Sequence, residues 1–241
     1  MKLMAIANLT DNSFVRADRM GELSFDALTQ AIGGFLSAGA DMIDIGACST
    51  APGNDVISDE QEWRRLERAL PVIFEAFPDA VYSLDSFRPA VVSNALKIAD
   101  GLLHDVHEQF IINDISSGMP EFAAEKGLQY IAMAGTADPY SFFREFSLRA
   151  GTCGLSDWIL DPGFGFGKTL EQNWDVLDHL DRLTEFGRPV LVALSRKRMI
   201  YQPLDLTPDT CAEQSVAAER IAISRGASIL RTHDLNAHTS S

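Results

Sequence analysis

The residues best suited to chemistry follow the apolar run 158–160. They read Asp-Pro-Gly-Phe-Gly-Phe-Gly-Lys-Thr over positions 161–169. This order places the Asp161 carboxylate at the end of a predicted buried strand, immediately before a loop in which alternate residues are glycine. Because glycine adopts backbone angles that other residues avoid, such a loop can direct Asp161 and several backbone N–H groups at a bound molecule. An ordinary strand-to-helix turn is the structural alternative.

Two well-known glycine-rich motifs do not fit this loop. A phosphate-binding P-loop requires glycine five residues before the Gly-Lys pair, and that position is Pro162. The dinucleotide fingerprint G-x-G-x-x-G requires a spacing that Gly163, Gly165 and Gly167 do not have. The loop therefore predicts a binding site of another kind.

Polar residues also follow other short apolar runs of the chain. Any one of them can be structural, because buried polar groups normally find partners, but eight such strand ends favour one shared pocket. The residues at these ends are Asn8, Asp44, Asp85, Asn113, Asp114, Met133, Asp161, Lys197, Arg231 and His233.

The strand-end residues divide into two chemical kinds. Asp85, Asn113, Asp161 and Lys197 suit a flat heterocycle with amino, ring N–H and carbonyl edges, since a carboxylate accepts paired N–H donors and a lysine reaches a ring oxygen or nitrogen. The second kind comprises Asn8, Arg231 and His233, which predict an anion site for a phosphate-like group. The Asn8 oxygen is also compatible with Mg²⁺, which often accompanies a diphosphate.

Apolar runs and amphipathic segments alternate along the whole sequence, which predicts parallel strands covered by helices. Helices are predicted to begin at Ser58 and near Thr210, each with capping-box spacing, and another to end at Gly39. The predicted strands are 3–8, 41–46, 80–86, 110–116, 129–134, 157–161, 189–194 and 228–232.

Eight strands in 241 residues favour a (β/α)₈ TIM barrel, a single α/β domain over residues 1–241, over a doubly wound open sheet. In such a barrel the carboxyl ends of the strands form the active-site face, where the polar residues fall. Few residues follow the eighth strand, so the eighth helix is expected to be short or absent. An apolar groove is expected there, filled by a partner subunit or by the tail.

Composition excludes several classes of protein. The formal charge is −14, which argues against nucleic acid as a partner and requires local cations, such as those at 195–198, for an anionic substrate. No apolar run approaches the roughly 20 residues of a membrane span, and the N-terminus is too short for a secretory signal. Cys48, Cys153 and Cys211 are widely spaced, which predicts reduced thiols and a cytoplasmic location.

The motifs, in their order along the chain, resemble those of the dihydropteroate synthase family. The likeness extends over nearly the whole chain. Seven ordered matches at strand ends are more specific than any one motif. The matching segments are 8–14, 39–50, 83–89, 112–115, 161–168, 195–197 and 231–234.

The resemblance implies a transferase of folate biosynthesis that joins a 6-hydroxymethyl-7,8-dihydropterin diphosphate to p-aminobenzoate and releases pyrophosphate with Mg²⁺ present. It implies that Asp85, Asn113, Met133, Asp161 and Lys197 hold the pterin. It also implies that Asn8, Arg231 and His233 bind the diphosphate and its metal, with Asp85, Asp161, Lys197 and Arg231 acting in catalysis. Family members are typically dimers and sulfonamide targets, so a homodimer is expected.

The sequence departs from the family pattern in places that concern the second substrate. The usual Thr-Pro-Asp-Ser-Phe is Thr-Asp-Asn-Ser-Phe at 10–14, and the usual Ser-Thr-Arg-Pro-Gly is Ser-Thr-Ala-Pro-Gly at 49–53. Arg198 replaces a common serine, and Ala132 a common histidine. Our hypothesis is that Arg198 supplies the cation for the aminobenzoate carboxylate and Asp11 partly replaces the lost acid. Thr50 and Pro52 belong to the same predicted p-aminobenzoate region.

Two other functions are compatible with a pterin site. One is a methyltransferase that moves a methyl group from a reduced folate to a corrinoid protein, although it has no need for Arg231 and His233 as diphosphate ligands. The other is a non-catalytic or altered-specificity pterin-binding paralogue, which the changed loops favour.

Overall fold

The computed structural model describes residues 1–9, 25–48 and 56–239 of the chain, and within these ranges eight strands alternate with ten α-helices. The strands are β1 (Lys2–Asn8), β2 (Met42–Gly46), β3 (Tyr82–Asp85), β4 (Phe110–Asp114), β5 (Gln129–Met133), β6 (Trp158–Asp161), β7 (Leu191–Val192) and β8 (Ile229–Thr232). The helices are α1 (Phe25–Ser37), α2 (Asp59–Ala76), α3 (Pro89–Leu102), α4 (Val106–Gln109), α5 (Pro120–Lys126), α6 (Pro139–Cys153), α7 (Leu170–Asp178), α8 (Arg198–Tyr201), α9 (Ala212–Ser224) and α10 (Asn236–Thr239). Short 3-10 segments cover Leu180–Phe186 and Gln202–Leu204.

The strands form a closed parallel barrel. They pair in the order β6-β5-β4-β3-β2-β1-β8-β7. The ring closes where the Leu160 amide donates to the Pro189 carbonyl at 2.9 Å and Leu160 bridges to Val190. The predicted (β/α)₈ barrel is therefore confirmed, and the open doubly wound sheet is not formed.

Two layers fill the barrel interior. The first is apolar and contains Met4, Met42, Ile111, Ile131, Ile159, Leu191, Ala193 and Ile229. Because successive strand side chains point to opposite faces, the residue two positions further along the same strand also points inward. In four strands that residue is polar, and these residues are Asp44, Asn113, Asp161 and Arg231. The alternation thus places a polar layer directly above an apolar one.

The helices pack on the outer face of the barrel, and their starts test the predicted caps. The Ser58 capping box is confirmed, with the Gln61 amide donating to Ser58 Oγ at 3.2 Å and the Ser58 amide donating to Gln61 Oε1 at 3.0 Å. The predicted capping box at Thr210 is wrong. Helix α9 begins after Cys211 without a side-chain cap, because the Thr210 hydroxyl accepts from the Thr207 amide at 3.0 Å within a preceding turn.

The described residues after β8 contain one helix, the four-residue α10, as the sequence predicted. A cavity of about 630 Å³ lies between α1 and this segment and is lined on the α1 side by Ala31, Phe35 and Ala38. The expected groove is therefore present. Helix α10 packs on α9 through His238, whose Nε2 lies 2.7 Å from Glu219 Oε2.

Among the described residues, no helix is both long and apolar enough to cross a membrane.

A buried ion pair joins α2 to the segment that follows β3. Arg88 donates to Glu62, which is fully buried, and to the Ile57 carbonyl, and its Nε lies 2.7 Å from Asp59 Oδ1. A buried carboxylate is tolerated only while its charge is compensated. Arg88 therefore stabilises the contact between α2 and the barrel.

Arg88→Met is expected to lower the free energy of unfolding by about 3–5 kcal/mol, because it leaves the Glu62 charge buried without its cation. Adding Glu62→Gln should recover part of this loss. The measurement is urea denaturation of the single and double variants. Arg64→Met, which breaks an exposed pair with Glu60 on the same helix, is the control and should cost under about 1 kcal/mol. Equal losses for the Arg88 and Arg64 variants would contradict the prediction.

Candidate active site

A single carboxylate organises the polar layer at the mouth of the barrel. Asp44 of β2 is buried and accepts a hydrogen bond from Ser83 Oγ at 2.7 Å, in β3. It also accepts from Asn113 Nδ2 at 3.0 Å, in β4, and from an Arg231 nitrogen at 2.9 Å, in β8. Four strands therefore meet at one carboxylate, and Asn113 is held beside Arg231.

Asp85 and Asn8 flank the glycine that ends β2. A Cβ atom at Gly46 would lie 3.5 Å from both Asn8 Oδ1 and Asp85 Oδ2, so the glycine leaves space for the two oxygen-bearing side chains. Burial and the neighbouring Asp44 raise the pKa of Asp85 to about 7, and Arg231 opposes this rise. Asp85 can therefore hold a proton near neutral pH.

Asp161 is positioned by the loop that follows it. The carboxylate is buried and its Oδ1 accepts from the Gly163 amide at 2.8 Å. Gly163 and Gly167 have positive φ angles, and a Cβ atom would lie 2.4 Å from the Ala134 carbonyl oxygen and 2.1 Å from that of Gly135, respectively. Only glycine fits these two positions, because the loop backbone packs directly on the backbone after β5.

Lys197 approaches the same loop from the end of β7. Its ammonium donates to the Phe164 carbonyl and lies 4.7 Å from the centre of the Phe166 ring. Burial and the positive charge of Arg231 lower the pKa of Lys197 to about 8, while Asp161 and Asp85 act in the opposite direction. The lysine therefore shares one electrostatic environment with both acids and the arginine.

Arg231 and His233 lie at the end of β8. Burial lowers the pKa of Arg231, but the charges of Asp44, Asp161 and Asp85 outweigh it and raise that pKa above its usual value. His233 Nδ1 lies 3.1 Å from Ser195 Oγ at the exposed rim. Partial burial of the ring and the nearby Arg196 lower the pKa of His233, which favours the neutral imidazole at neutral pH.

The structure brings most of the predicted residues together. The charges of Asp85, Asp161, Lys197 and Arg231 interact, and Asn113 joins them through Asp44. Met133 is buried beside Gly163. A Cβ atom added at this glycine would lie 3.2 Å from Met133 Cγ.

Arg198 is not brought into this cluster. It is exposed on α8 and donates to Oε1 of Gln202, in the 3-10 segment that follows, at 3.2 Å. The predicted Asp11, Thr50 and Pro52 lie outside the described residues.

Two residues in the site had no predicted role. Asp44 was recognised as a strand end, but its function depends on donors from β3, β4 and β8, which only the strand register reveals. Lys168 was recognised as part of the glycine-rich motif, and it donates to three backbone carbonyls of the site. By contrast, Asp114 points outward and accepts from Tyr130 Oη at 2.6 Å, which is a structural contact.

In the described part of the chain, no group of three His, Cys, Asp or Glu side chains is arranged to hold a metal ion. Asn8 and Asp85 nevertheless place two oxygen atoms on either side of Gly46. Such a sparse donor set fits a Mg²⁺ ion that receives its other ligands from a bound phosphate and water.

A closed parallel barrel with charged residues at the carboxyl ends of its strands defines a TIM-barrel enzyme. The family model described as pterin binding enzyme matches residues 4–233. The chain belongs to this family of pterin-binding enzymes.

Individual relatives agree with this assignment. Dihydropteroate synthase of Escherichia coli strain K12 is 33% identical over 255 residues, covering 97% of this chain and 86% of the relative. The solved structure of Xanthomonas albilineans dihydropteroate synthase with 4-aminobenzoic acid has a TM-score of 0.86 at 32% identity, covering 98% of this chain and 88% of that chain. The Yersinia pestis enzyme with a sulfonamide drug complex has a TM-score of 0.81 at 34% identity, covering 98% and 90%.

The raised pKa of Asp85 gives a prediction for stability. Its ordinary pKa is 3.8 and its folded value is about 7, so between these values the folded protein keeps a proton that the unfolded chain releases. The contribution of Asp85 to stability is therefore fully present below about pH 4 and is lost as pH rises through about 7. Asp85→Asn cannot ionise and is expected to melt at a higher temperature than the wild type at about pH 8, with a smaller difference at about pH 5.

The measurement is thermal unfolding monitored by circular dichroism with a metal chelator present. In a protein of this size about 1 kcal/mol shifts the melting temperature by roughly 2–4 °C, which is readily resolved. Asp181→Asn, at an exposed position, is the control and should show no such dependence on pH. The same melting difference at both pH values would refute the assignment.

Proposed function

We propose that this protein is a dihydropteroate synthase, which condenses 6-hydroxymethyl-7,8-dihydropterin diphosphate with p-aminobenzoate to form 7,8-dihydropteroate and pyrophosphate. The observation that carries the proposal is the polar layer in which Asp85, Asn113, Asp161 and Lys197 adjoin Arg231. The similar proteins from Escherichia coli and Xanthomonas albilineans carry the same activity in their names.

The pterin is recognised by hydrogen-bond acceptors, a donor and an apolar contact at the mouth of the barrel. Carboxylates of Asp85 and Asp161 accept from the amino and ring N–H groups of the heterocycle, and Lys197 donates to a ring oxygen or nitrogen. Asn113 uses its N–H donors on Asp44, which leaves its Oδ1 to accept from the ligand. Met133 packs beside the loop as an apolar contact for the ring.

The diphosphate lies toward the end of β8, where Arg231 and His233 provide a cation and a neutral imidazole. Asn8 would hold Mg²⁺, and the ion, when bound, neutralises charge on the departing pyrophosphate. The site therefore pairs an acidic pterin side with a basic diphosphate side, in a protein whose overall charge of −14 otherwise opposes an anionic substrate.

The reaction follows from this separation of charge. The bond between the pterin methylene carbon and the diphosphate oxygen breaks, and both electrons leave with pyrophosphate, which Arg231 stabilises. The positive charge left on the methylene is delocalised into the ring, where the buried Asp161 carboxylate stabilises it, and Asp85 does so in its ionised form. The aromatic amine then forms the carbon–nitrogen bond and loses its proton, and a dedicated general base is hardly needed.

Recognition of p-aminobenzoate, the second substrate, depends on positions that depart from the family pattern. We infer that Arg198 supplies the cation for the aminobenzoate carboxylate. Among the described residues, Arg198 hydrogen-bonds to the neutral Gln202 side chain and forms no ion pair with a carboxylate. We also propose that the protein lies in the cytoplasm, which agrees with its three free cysteines, and that it forms a homodimer as the family resemblance implies.

A coupled assay of pyrophosphate release tests the main proposal. Release is expected to require both substrates and Mg²⁺. Asp161→Asn should lower kcat/KM by about a hundredfold or more, the range for loss of one preorganised electrostatic group. Asp181→Asn should retain the wild-type rate.

Other outcomes would replace the proposal. Tight pterin binding without pyrophosphate release would identify a non-catalytic pterin-binding protein. Transfer of a labelled methyl group from methyltetrahydrofolate to a corrinoid acceptor would identify a methyltransferase.

Arg198→Ser tests the assignment of the aminobenzoate cation. Loss of one charge-assisted hydrogen bond should raise the KM for p-aminobenzoate about tenfold and leave the KM for the pterin diphosphate unchanged. Steady-state kinetics with each substrate varied in turn gives both constants. Gln202→Ala, which removes the side chain that Arg198 donates to, is the control. This variant should keep its affinity for p-aminobenzoate. An unchanged KM in Arg198→Ser would remove Arg198 from the site.

A further inference from the structure

The lysine of the glycine-rich motif is saturated by backbone carbonyls. Lys168 Nζ donates to the carbonyl oxygens of Ala134 at 2.9 Å, Gly163 at 3.0 Å and Phe166 at 3.1 Å. A lysine ammonium has three donors, so this arrangement uses all of them. The side chain is therefore committed to the loop between β6 and α7 and to the residue that follows β5.

The loop requires a cation at this place. Three carbonyl oxygens converge on one point near the Asp161 carboxylate, and oxygen atoms gathered in this way repel one another unless a donor lies between them. The loop backbone also packs against the carbonyls of Ala134 and Gly135 without room for any side chain at Gly163 or Gly167. Lys168 thus connects two backbone segments that have no side chain between them.

The same loop positions two groups of the proposed pterin site. Its Gly163 amide donates to Asp161 at 2.8 Å, and its Phe164 carbonyl accepts from Lys197. The ring of Phe166 lies under the Lys197 ammonium. Any change in the loop conformation therefore moves the partners of both Asp161 and Lys197.

We propose that Lys168 is a positioning residue for pterin binding, whose ammonium holds the 162–167 loop so that Asp161 and Lys197 face the heterocycle. It acts through the loop and makes no contact with the diphosphate, although a lysine after glycine in such a loop resembles a phosphate ligand. The inference rests on the pterin site of the proposed function and is independent of turnover.

The charge of Lys168 has a second effect, on Lys197. The groups that act on the Lys197 ammonium are Arg231 and Lys168, which lower its pKa together with burial, and Asp161 and Asp85, which raise it. Removing the positive charge at position 168 should therefore raise the pKa of Lys197 from its value of about 8. A variant that keeps the charge but changes the shape should leave it unchanged.

Lys168→Met and Lys168→Arg separate shape from charge. Both variants are expected to bind 6-hydroxymethylpterin, which lacks the diphosphate, at least tenfold more weakly by calorimetry, because neither side chain can direct three donors at converging carbonyls. Burial lowers the pKa of Lys168 itself to about 8, so wild-type binding should weaken as pH rises through the titration of both lysines. In the two variants the loss reports Lys197 alone, and it should lie at higher pH in Lys168→Met than in Lys168→Arg. Lys97→Met, an exposed site on α3, is the control and should bind normally.

The opposite results would overturn the inference. Unchanged pterin affinity in either folded variant would show that the loop does not need Lys168. A loss confined to the pterin diphosphate, with Lys168→Arg close to wild type, would instead make Lys168 a phosphate ligand. If Lys168→Met does not fold, Lys168→Arg decides between these results by itself. Pterin binding without pyrophosphate release by the wild type would remove the synthase proposal but leave this test intact.

Discussion

The pairing of Asp44 with Arg231 is the interaction on which the mouth of the barrel depends. It joins β2 to β8 inside the ring, and the same carboxylate accepts from Ser83 and Asn113. A buried carboxylate is tolerated because these donors compensate its loss of hydration, and a buried arginine because of the carboxylate. Without Asp44, Asn113 would lose the partner that orients its amide, and Arg231 would face Lys197 with one fewer negative charge nearby.

The consequence is a nearly balanced cluster of charges. The carboxylates of Asp44, Asp85 and Asp161 oppose the cations of Lys168, Lys197 and Arg231 across a small space. The balance shifts toward positive charge when Asp85 holds a proton near neutral pH, which favours an incoming anion. A protein with a formal charge of −14 can in this way present a local cationic site for a diphosphate.

The sequence predicted the barrel and the position of its site because both depend on local patterns. Apolar runs located all eight strands, and the change from apolar to polar residues at their ends located the mouth. The α2 capping box was also predicted correctly, since its contacts are three residues apart. The same spacing failed at Thr210, where a threonine hydroxyl three residues earlier in the chain offered a competing turn.

The roles of Asp44 and Lys168 could not be predicted, because both depend on partners distant in the chain. Arg231 lies 187 residues from Asp44, and Ala134 lies 34 residues from Lys168. Local spacing carries no information about which carbonyls or amides the barrel will bring to such side chains. The position of the site could be predicted from local patterns, whereas the distant partners of Asp44 and Lys168 depend on how the barrel brings its strands together.

The two halves of the proposed reaction draw on different parts of the chain. The groups proposed to bind the pterin or stabilise the departure of pyrophosphate lie in the strands or in the segments that follow them. They are held by the hydrogen bonds around Asp44 and by the 162–167 loop. The positions that depart from the family pattern instead lie mainly in the first and second loops, at 10–14 and 49–53. The hydrogen bonds around Asp44, by contrast, are made among strand residues of the barrel. The geometry therefore allows the second substrate to be recognised in a new way while bond cleavage at the pterin methylene keeps the same chemistry.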